Sequence, residues 1–325
     1  MSERKSASRN GRGSGAERER LADVAELYWV QGLKVEMVGR KLGMSRSTVS
    51  RLLSRAREEH VIEFVVHRQA DSLASLRTAL QGRYGITVSV PFVDDAEPDR
   101  VRHLIVGHAA AAVLGTLMAP DTVLDVAWGA TVEAMSSQLR QQSLQSVDVV
   151  QFHGSSNIVN LGDEYAGTIL GRFGSAFGAR VHLLPMPAVF DSPETREVMW
   201  QETSVRQVLD LRASADMLVT SVGTADGSHL YDSGYISEQD MQDLADAHVV
   251  GNVGSMFFRA DGSSDGIALN ERCTGVPLAD LRRIPRRLFV VADKRKAVAL
   301  DAALRAGLAT HLVVDPGTAQ ALVEL

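Results

Sequence analysis

The rhythm of apolar and polar positions changes once along this chain, and the change divides it in two. Residues 1–16 are rich in Ser, Gly and Arg and carry no apolar pattern, so they read as a disordered tail. From Glu17 to Arg68 the spacing is helical: Leu21, Val24, Ala25 and Tyr28 share a face, and Gly32 is placed to end their helix. A short second helix is predicted over 35–42, closed by Gly43. Ser45 then caps a third that runs to about Glu58. VIEFVVH at 61–67 reads as a strand. Residues 69–85 read as a helical connector that could serve oligomerisation, with the domain boundary expected between Arg68 and Arg83.

From residue 86 to 325 short apolar runs alternate with amphipathic stretches. Strands are predicted at 87–92, 122–127, 147–152, 181–184, 217–222, 288–292 and 310–314. Helices are predicted at 101–117, 131–140, 164–177, 238–247, 294–306 and 317–325. Such alternation implies an α/β class: a doubly wound, Rossmann-like domain with a largely parallel sheet, preceded by an all-α helix-turn-helix domain over 17–68.

Composition narrows the setting. The chain is 45% hydrophobic and 23% charged, as ordinary globular proteins are, and no apolar run reaches membrane-spanning length. The opening twenty residues are too polar for a signal peptide, so a cytoplasmic protein without membrane contact is expected. The single cysteine, Cys273, excludes an intrachain disulfide and a cysteine-based zinc site, and no cofactor or metal is expected. Charge changes the picture more. The net charge is −6, yet residues 1–68 hold fourteen Lys and Arg against nine Asp and Glu, a net of +5, while the rest carries −11. Positive charge is gathered where phosphate contacts could use it.

The third predicted helix sorts its residues by face. Val49, Leu52, Leu53 and Ala56 lie at core spacing, whereas Ser47, Ser50, Arg51 and Ser54 occupy the opposite side. A face of short hydroxyls and guanidinium groups can enter a major groove closely. The same hairpin could present its polar face only to water. The capped third helix, the Gly43 turn and the local charge favour duplex DNA. Arg46, Ser47, Ser50 and Arg51 are then expected at bases or phosphates, and Thr48 and Arg55 at the backbone. One such motif offers too little interface for operator affinity, so a homo-oligomer is implied.

The ordered set of segments resembles the SorC family of sugar-binding transcriptional regulators nearly end to end. It comprises LYWVQGLKVEMVGRKLGMSRSTVSRLLSRAREEHVIE (27–63), VLDVAWGATVEAM (123–135), LLPMPAVFDSPETREVM (183–199), ADMLVTSVGT (215–224), DSGYISEQDMQDL (232–244), RRIPRRLFVVADKRKAVALDAALRAGL (282–308) and LVVDPGTAQALV (312–323). The resemblance implies a dimeric or tetrameric regulator of operator DNA. Its effector would be a sugar, a polyol or a sugar phosphate, bound in a domain similar to sugar-phosphate isomerases.

Effector residues follow segment by segment. Gly129, Ala130 and Thr131 follow a strand and open a helix; by pattern alone this is a plain turn as readily as a ligand site, and the resemblance assigns it to the effector. Lys296 matches a lysine that in the family helps bind a phosphate. Ala292 and Asp293 stand where a Gly-Gly pair is usual, and a carboxylate repels a phosphate unless a cation pairs with it. Asn252 replaces a usual carboxylate, and His153, Gly154, Ser155 and Ser156 occupy a stretch that is commonly Gly-Gly with a polar neighbour. These departures tilt the expectation toward an unphosphorylated sugar or polyol. His153 is equally consistent with a ligand contact and a structural histidine. Gly223 and Thr224, at a strand end, fit a pocket wall or a simple turn. Asp216, Asp232 and Arg272 also match family positions, in the pocket or its scaffold.

The rival class is a sugar-phosphate isomerase-like enzyme fused to a DNA-binding domain. Asp226, His229 and Glu271 could move protons, but they form no recognisable catalytic arrangement, and GxSxG, P-loop, HExxH and complete GxGxxG motifs are absent.

Overall fold

The computed structural model describes residues 10–59, 61–62, 70–94, 96–155, 162–224, 230–231 and 234–325. The chain forms two compact units, Met1–Arg68 and Gln69–Leu325.

In the first unit, α1 (Asn10–Ala25) runs into a π-helical turn at Glu26–Val30 and is followed by α2 (Val35–Leu42) and α3 (Arg46–Glu58). Helix α1 begins at Asn10, within the stretch expected to be a disordered tail; residues 1–9 lie outside the described residues. Those added residues show no apolar signal, but extending an existing helix is far less costly than nucleating one. Leu21, Val24, Leu27, Val38, Val49, Leu52, Leu53 and Ala56 close a small core. Gly43 takes the left-handed conformation (φ 67°) that ends α2, and the Ser45 side chain accepts from the Thr48 amide to start α3. A Cβ on Gly39 would stand 2.7 Å from the Met44 carbonyl oxygen, so a larger residue would push this turn open. Val61 and Ile62 do not begin a strand. Both donate to the Ala56 carbonyl and pack on the small core, and the rest of the predicted strand falls outside the described residues.

The second unit opens with α4 (Ala70–Tyr84), β1 (Thr87–Ser89), α5 (Asp99–Leu117), β2 (Val123–Val126), α6 (Ala130–Ser136), β3 (Asp148–Gln151), α7 (Gly162–Phe177) and β4 (Arg180–His182). It continues with α8 (Pro193–Trp200), α9 (Thr203–Ala213), β5 (Met217–Thr220), β6 (Gly223–Thr224), α10 (Glu238–Asp246), β7 (Val249–Val253) and β8 (Met256–Arg259). Last come α11 (Leu278–Leu281), β9 (Arg286–Val291), a 3-10 turn at Lys294–Lys296, α12 (Ala297–Arg305), β10 (His311–Val314) and α13 (Pro316–Glu324).

Seven parallel strands form one sheet in the order β1-β10-β9-β5-β2-β3-β4, and they are the seven the apolar runs predict. The chain winds outward from the centre in both directions, through β2, β3 and β4 and through β5, β9 and β10. Order therefore reverses between β2 and β5, and the crevice at the carboxyl ends of those two strands is where open α/β sheets hold ligands. A three-stranded antiparallel sheet, β6-β7-β8, adjoins that crevice and pairs Gly223 with Asn252. Helix α4 is more than a connector. Leu80 is fully buried in the main core, Arg83 donates to the Leu322 carbonyl, and the Tyr84 hydroxyl donates to Asp301 at 2.7 Å. No helix among the described residues is long and apolar enough to cross a membrane.

Candidate functional site

Helix α3 divides its residues as its sequence pattern requires. Val49, Leu52, Leu53 and Ala56 are buried, while Arg46, Ser47, Ser50, Arg51 and Ser54 are exposed along one side. Arg51 takes part in no ion pair among the described residues, and Arg46 makes an exposed one with Glu36 on α2 (3.2 Å). Arg55 is different. Its guanidinium spans from Glu17 on α1 (2.7 Å) to Glu59 (2.6 Å), and these hydrogen bonds raise its already high pKa. The two carboxylates hold its charge, so Arg55 acts first as a strut between α1 and α3. Thr48 is half-buried, its hydroxyl 2.8 Å from that of Ser45.

In the second unit a cavity of about 370 Å³ fills the crevice between the carboxyl ends of β2 and β5. Of the sequence-predicted residues, Gly129, Ala130, Thr131, His153, Gly223, Thr224, Asn252, Asp293 and Lys296 line it. They arrive from four places: the turn after β2, the end of β3, the small sheet, and the turn before α12. Gly129 adopts φ 144°, which favours glycine, and no atom lies within 4 Å of where its Cβ would stand. The missing Cβ at Gly223 leaves room for the Asn252 amide packed against it.

Among the described residues, the Thr131 hydroxyl, the Asn252 amide, the Lys296 ammonium and the imidazole of His103 on α5 make no hydrogen bond or ion pair. Thr131 and Asn252 are buried and His103 and Lys296 half-buried, while the Ser221 hydroxyl oxygen, also at the cavity, is buried with no partner among the described residues. Buried polar groups are nearly always bonded, so such a set around one cavity marks a place built to be filled. Burial lowers the pKa of Lys296, with Asp293 pulling the other way.

Asp293 is committed. Its carboxylate accepts from the Arg295 amide (3.0 Å) and from that residue's Nε and Nη2 (3.0 and 2.8 Å). The repulsion that argued against a phosphate is thereby offset by a neighbouring cation, and the turn carries Lys294, Arg295 and Lys296 against one acid. One of the three departures that tilt the expectation toward an uncharged ligand is thereby answered.

His153 is buried and stacks on Trp128 with ring centroids 4.7 Å apart; its Nδ1 lies 3.3 Å from the Ser255 hydroxyl. Burial, helped by the charge of Arg212, lowers its pKa to about 3, so it meets the cavity as a neutral ring. Arg212 is itself buried and donates to the Phe152 and Thr274 carbonyls (2.8 and 2.9 Å), fixing the end of β3. Gly154 and Ser155 do not line the cavity. The Gly154 amide donates to Thr274, its carbonyl accepts from the Trp128 indole (3.2 Å), and a Cβ there would run into the Met186 and Pro187 carbonyls. Ser155 is buried, with its hydroxyl bonded by Gln151 and its carbonyl by Tyr235. Both support the floor from beneath.

Other family-matched positions are also scaffold. Asp216 accepts from the Val123 amide (2.9 Å), and Arg272 bonds Asp240 and the Phe190 carbonyl. Ser156, Asp226, His229 and Asp232 lie outside the described residues, and Glu271 is exposed and does not line the cavity. Sequence reasoning missed His103, Trp128, Tyr165, Ser221, Ser255 and Arg295 as lining residues. Trp128 lies two residues beyond β2 and Ser221 directly follows β5, so both were open to the strand-end rule. His103 and Tyr165 sit within helices, where spacing shows the buried face but not what that face meets.

Known proteins resemble the chain over nearly all its length. A profile of the family described as "Putative sugar-binding domain" matches residues 68–324. The deoxyribonucleoside regulator of Bacillus subtilis is 29% identical over 312 residues, covering 94% of this chain and 98% of that protein. The transcriptional regulator LsrR of Klebsiella pneumoniae is 30% identical over 318 residues, covering 95% and 94%. Among solved structures, a domain of "a possible sugar-binding transcriptional regulator" from Arthrobacter aurescens is 41% identical with a TM-score of 0.74, covering 78% of this chain and 98% of that one. The full-length sorbitol operon regulator of Klebsiella pneumoniae shares the fold at 23% identity and a TM-score of 0.71, covering 95% and 99%. These relatives are named as regulators, not enzymes.

Proposed function

The chain belongs to the SorC family of sugar-binding transcriptional regulators, and on that premise we propose that it controls a carbohydrate, polyol or nucleoside operon by binding operator DNA under the command of a small effector. The first unit reads DNA with Arg46, Ser47, Ser50 and Arg51 of α3, and Thr48 sits close to the phosphate backbone. The protein acts in the cytoplasm as a homo-oligomer, because one helix-turn-helix contributes too little interface for operator-level affinity.

The effector is a polyhydroxylated molecule with one anionic end. The observation that carries this reading is the set of uncommitted polar groups around the cavity: Thr131 and Asn252 suit hydroxyls, and Lys296 suits an anion. Net positive charge in the 294–296 turn, with Asp293 held by Arg295, supports a sugar phosphate over its neutral parent.

The test is the thermal stability of the full chain against matched sugars, polyols and their phosphates. A ligand at about a hundred times its Kd should stabilise by about 2.7 kcal/mol, and the phosphorylated member of a pair should do so at lower concentration. Stabilisation by neutral members alone overturns the anionic reading, and turnover of the stabilising ligand overturns the regulator in favour of an enzyme.

A further inference from the structure

His103 on α5 and Lys296 before α12 both line the effector cavity, and neither side chain has a hydrogen bond or ion pair among the described residues. Four charges act on the imidazole. Asp99 on its own helix, Asp293 before the 3-10 turn, and Asp315 at the start of α13 favour its protonated form, whereas Lys296 opposes it. The three acids share two cations: Asp293 has Arg295 (2.8 Å), while the one guanidinium of Arg102 stands 3.6 Å from Asp315 and 3.9 Å from Asp99. Burial is the largest influence, and it holds the ring below the ordinary histidine pKa. None of these acids bonds the imidazole, so among the described residues His103 has no committed counter-charge.

We propose that His103 is the second cation of the anion subsite, an uncharged imidazole in the unliganded protein that takes up a proton when a phosphoryl group seats beside it and Lys296. The inference rests on the anionic reading above. A phosphomonoester brings about −1.5 to −2 charge, more than one ammonium neutralises. The excess favours the protonated imidazole, which then donates a charge-assisted hydrogen bond. Proton uptake and anion binding are thus linked, and His103 selects a dianion over a carboxylate or a neutral hydroxyl.

The probe is sulfate, whose charge is constant across the titration range of histidine. It is titrated calorimetrically into the full chain between about pH 5 and 8, in buffers of different ionisation heat. Wild type should bind sulfate with proton uptake, its affinity falling by up to about tenfold per pH unit as pH rises. His103→Gln should bind with no proton uptake and a flat pH profile, matching wild type at the alkaline end. Lys296→Met should lose affinity at every pH. Sulfate binding without proton uptake by wild type, or an unchanged pH profile in His103→Gln, overturns the role of His103. If neither sulfate nor phosphate binds wild type at any pH, the anionic reading itself fails.

Discussion

The guanidinium of Arg295 closes on the carboxylate of Asp293, with Nη2 2.8 Å from Oδ2 and Nε 3.0 Å from Oδ1. One acid at the mouth of a cationic turn would otherwise face the anion that the turn receives. Replacing Arg295 by Leu should free that acid and weaken sulfate or sugar-phosphate binding by roughly tenfold or more. Adding Asp293→Asn to the same protein should recover most of the loss. Calorimetric titration of the three proteins tests this, and a single Arg295→Leu change without effect would show that the pairing is immaterial.

Arg51 and Arg55 differ by one turn of α3 and should fail in different ways. Arg51→Ala removes an exposed guanidinium that no carboxylate of the described residues holds, so operator affinity should fall by about 1–3 kcal/mol with melting unchanged. Arg55→Ala cuts the link from α3 to Glu17 and Glu59 and should lower the melting temperature of the first unit. Circular dichroism melts beside DNA titrations separate the two outcomes.

The buried imidazole of His153 gives the second unit an acid limb. Its folded pKa, about 3, lies below the ordinary value of 6.5, so between those values the unfolded chain binds the proton and the folded one does not. The stability difference is fully present above about pH 6.5 and is lost, at up to about 1.4 kcal/mol per pH unit, as pH falls toward 3. His153→Gln should flatten this slope in denaturant unfolding measured between those limits. An unaltered slope would assign the acid sensitivity to other groups.

Gly154 permits a backbone crossing that no other residue allows. Gly154→Ala should destabilise the second unit by about 1–3 kcal/mol or more, because its methyl meets two carbonyl oxygens of the chain at Met186 and Pro187. The Trp128 indole bonds the Gly154 carbonyl, so ligand-induced stabilisation should fall as well.

Physical signals of unequal strength explain what was legible in the sequence. The inner strands of the main sheet were visible because a strand covered on both faces is a near-continuous apolar run, as Leu288–Val291 and Met217–Val219 are. The edge strands β1 and β4 are only partly covered and carry shorter apolar signals. The β6-β7-β8 sheet was not visible. Its strands carry Gly223, Gly251 and Asn252, which break the apolar pattern; Gly223 and Asn252 line the cavity, and Gly251 lies against Ala299. Helices α8 and α9 were missed although Val205, Val208 and Leu209 stand at helical spacing in α9; with Met199 and Trp200 of α8 they close a separate small core on Leu184, Met186 and Phe190. Within the site, glycines and hydroxyls after strand ends announced themselves. Arg295 did not, because its role exists only through the carboxylate it holds.

The central claim is that a cavity in one unit governs DNA binding by the other. Its most direct test is the affinity of the purified full chain for the duplex upstream of its own gene, against a random duplex of equal length, with and without the most stabilising sugar phosphate. The account predicts a preference for the upstream duplex that the ligand shifts by about tenfold or more, the usual scale of coupling between two sites. Equal affinity for both duplexes at moderate salt, unmoved by a ligand that demonstrably occupies the cavity, would contradict it.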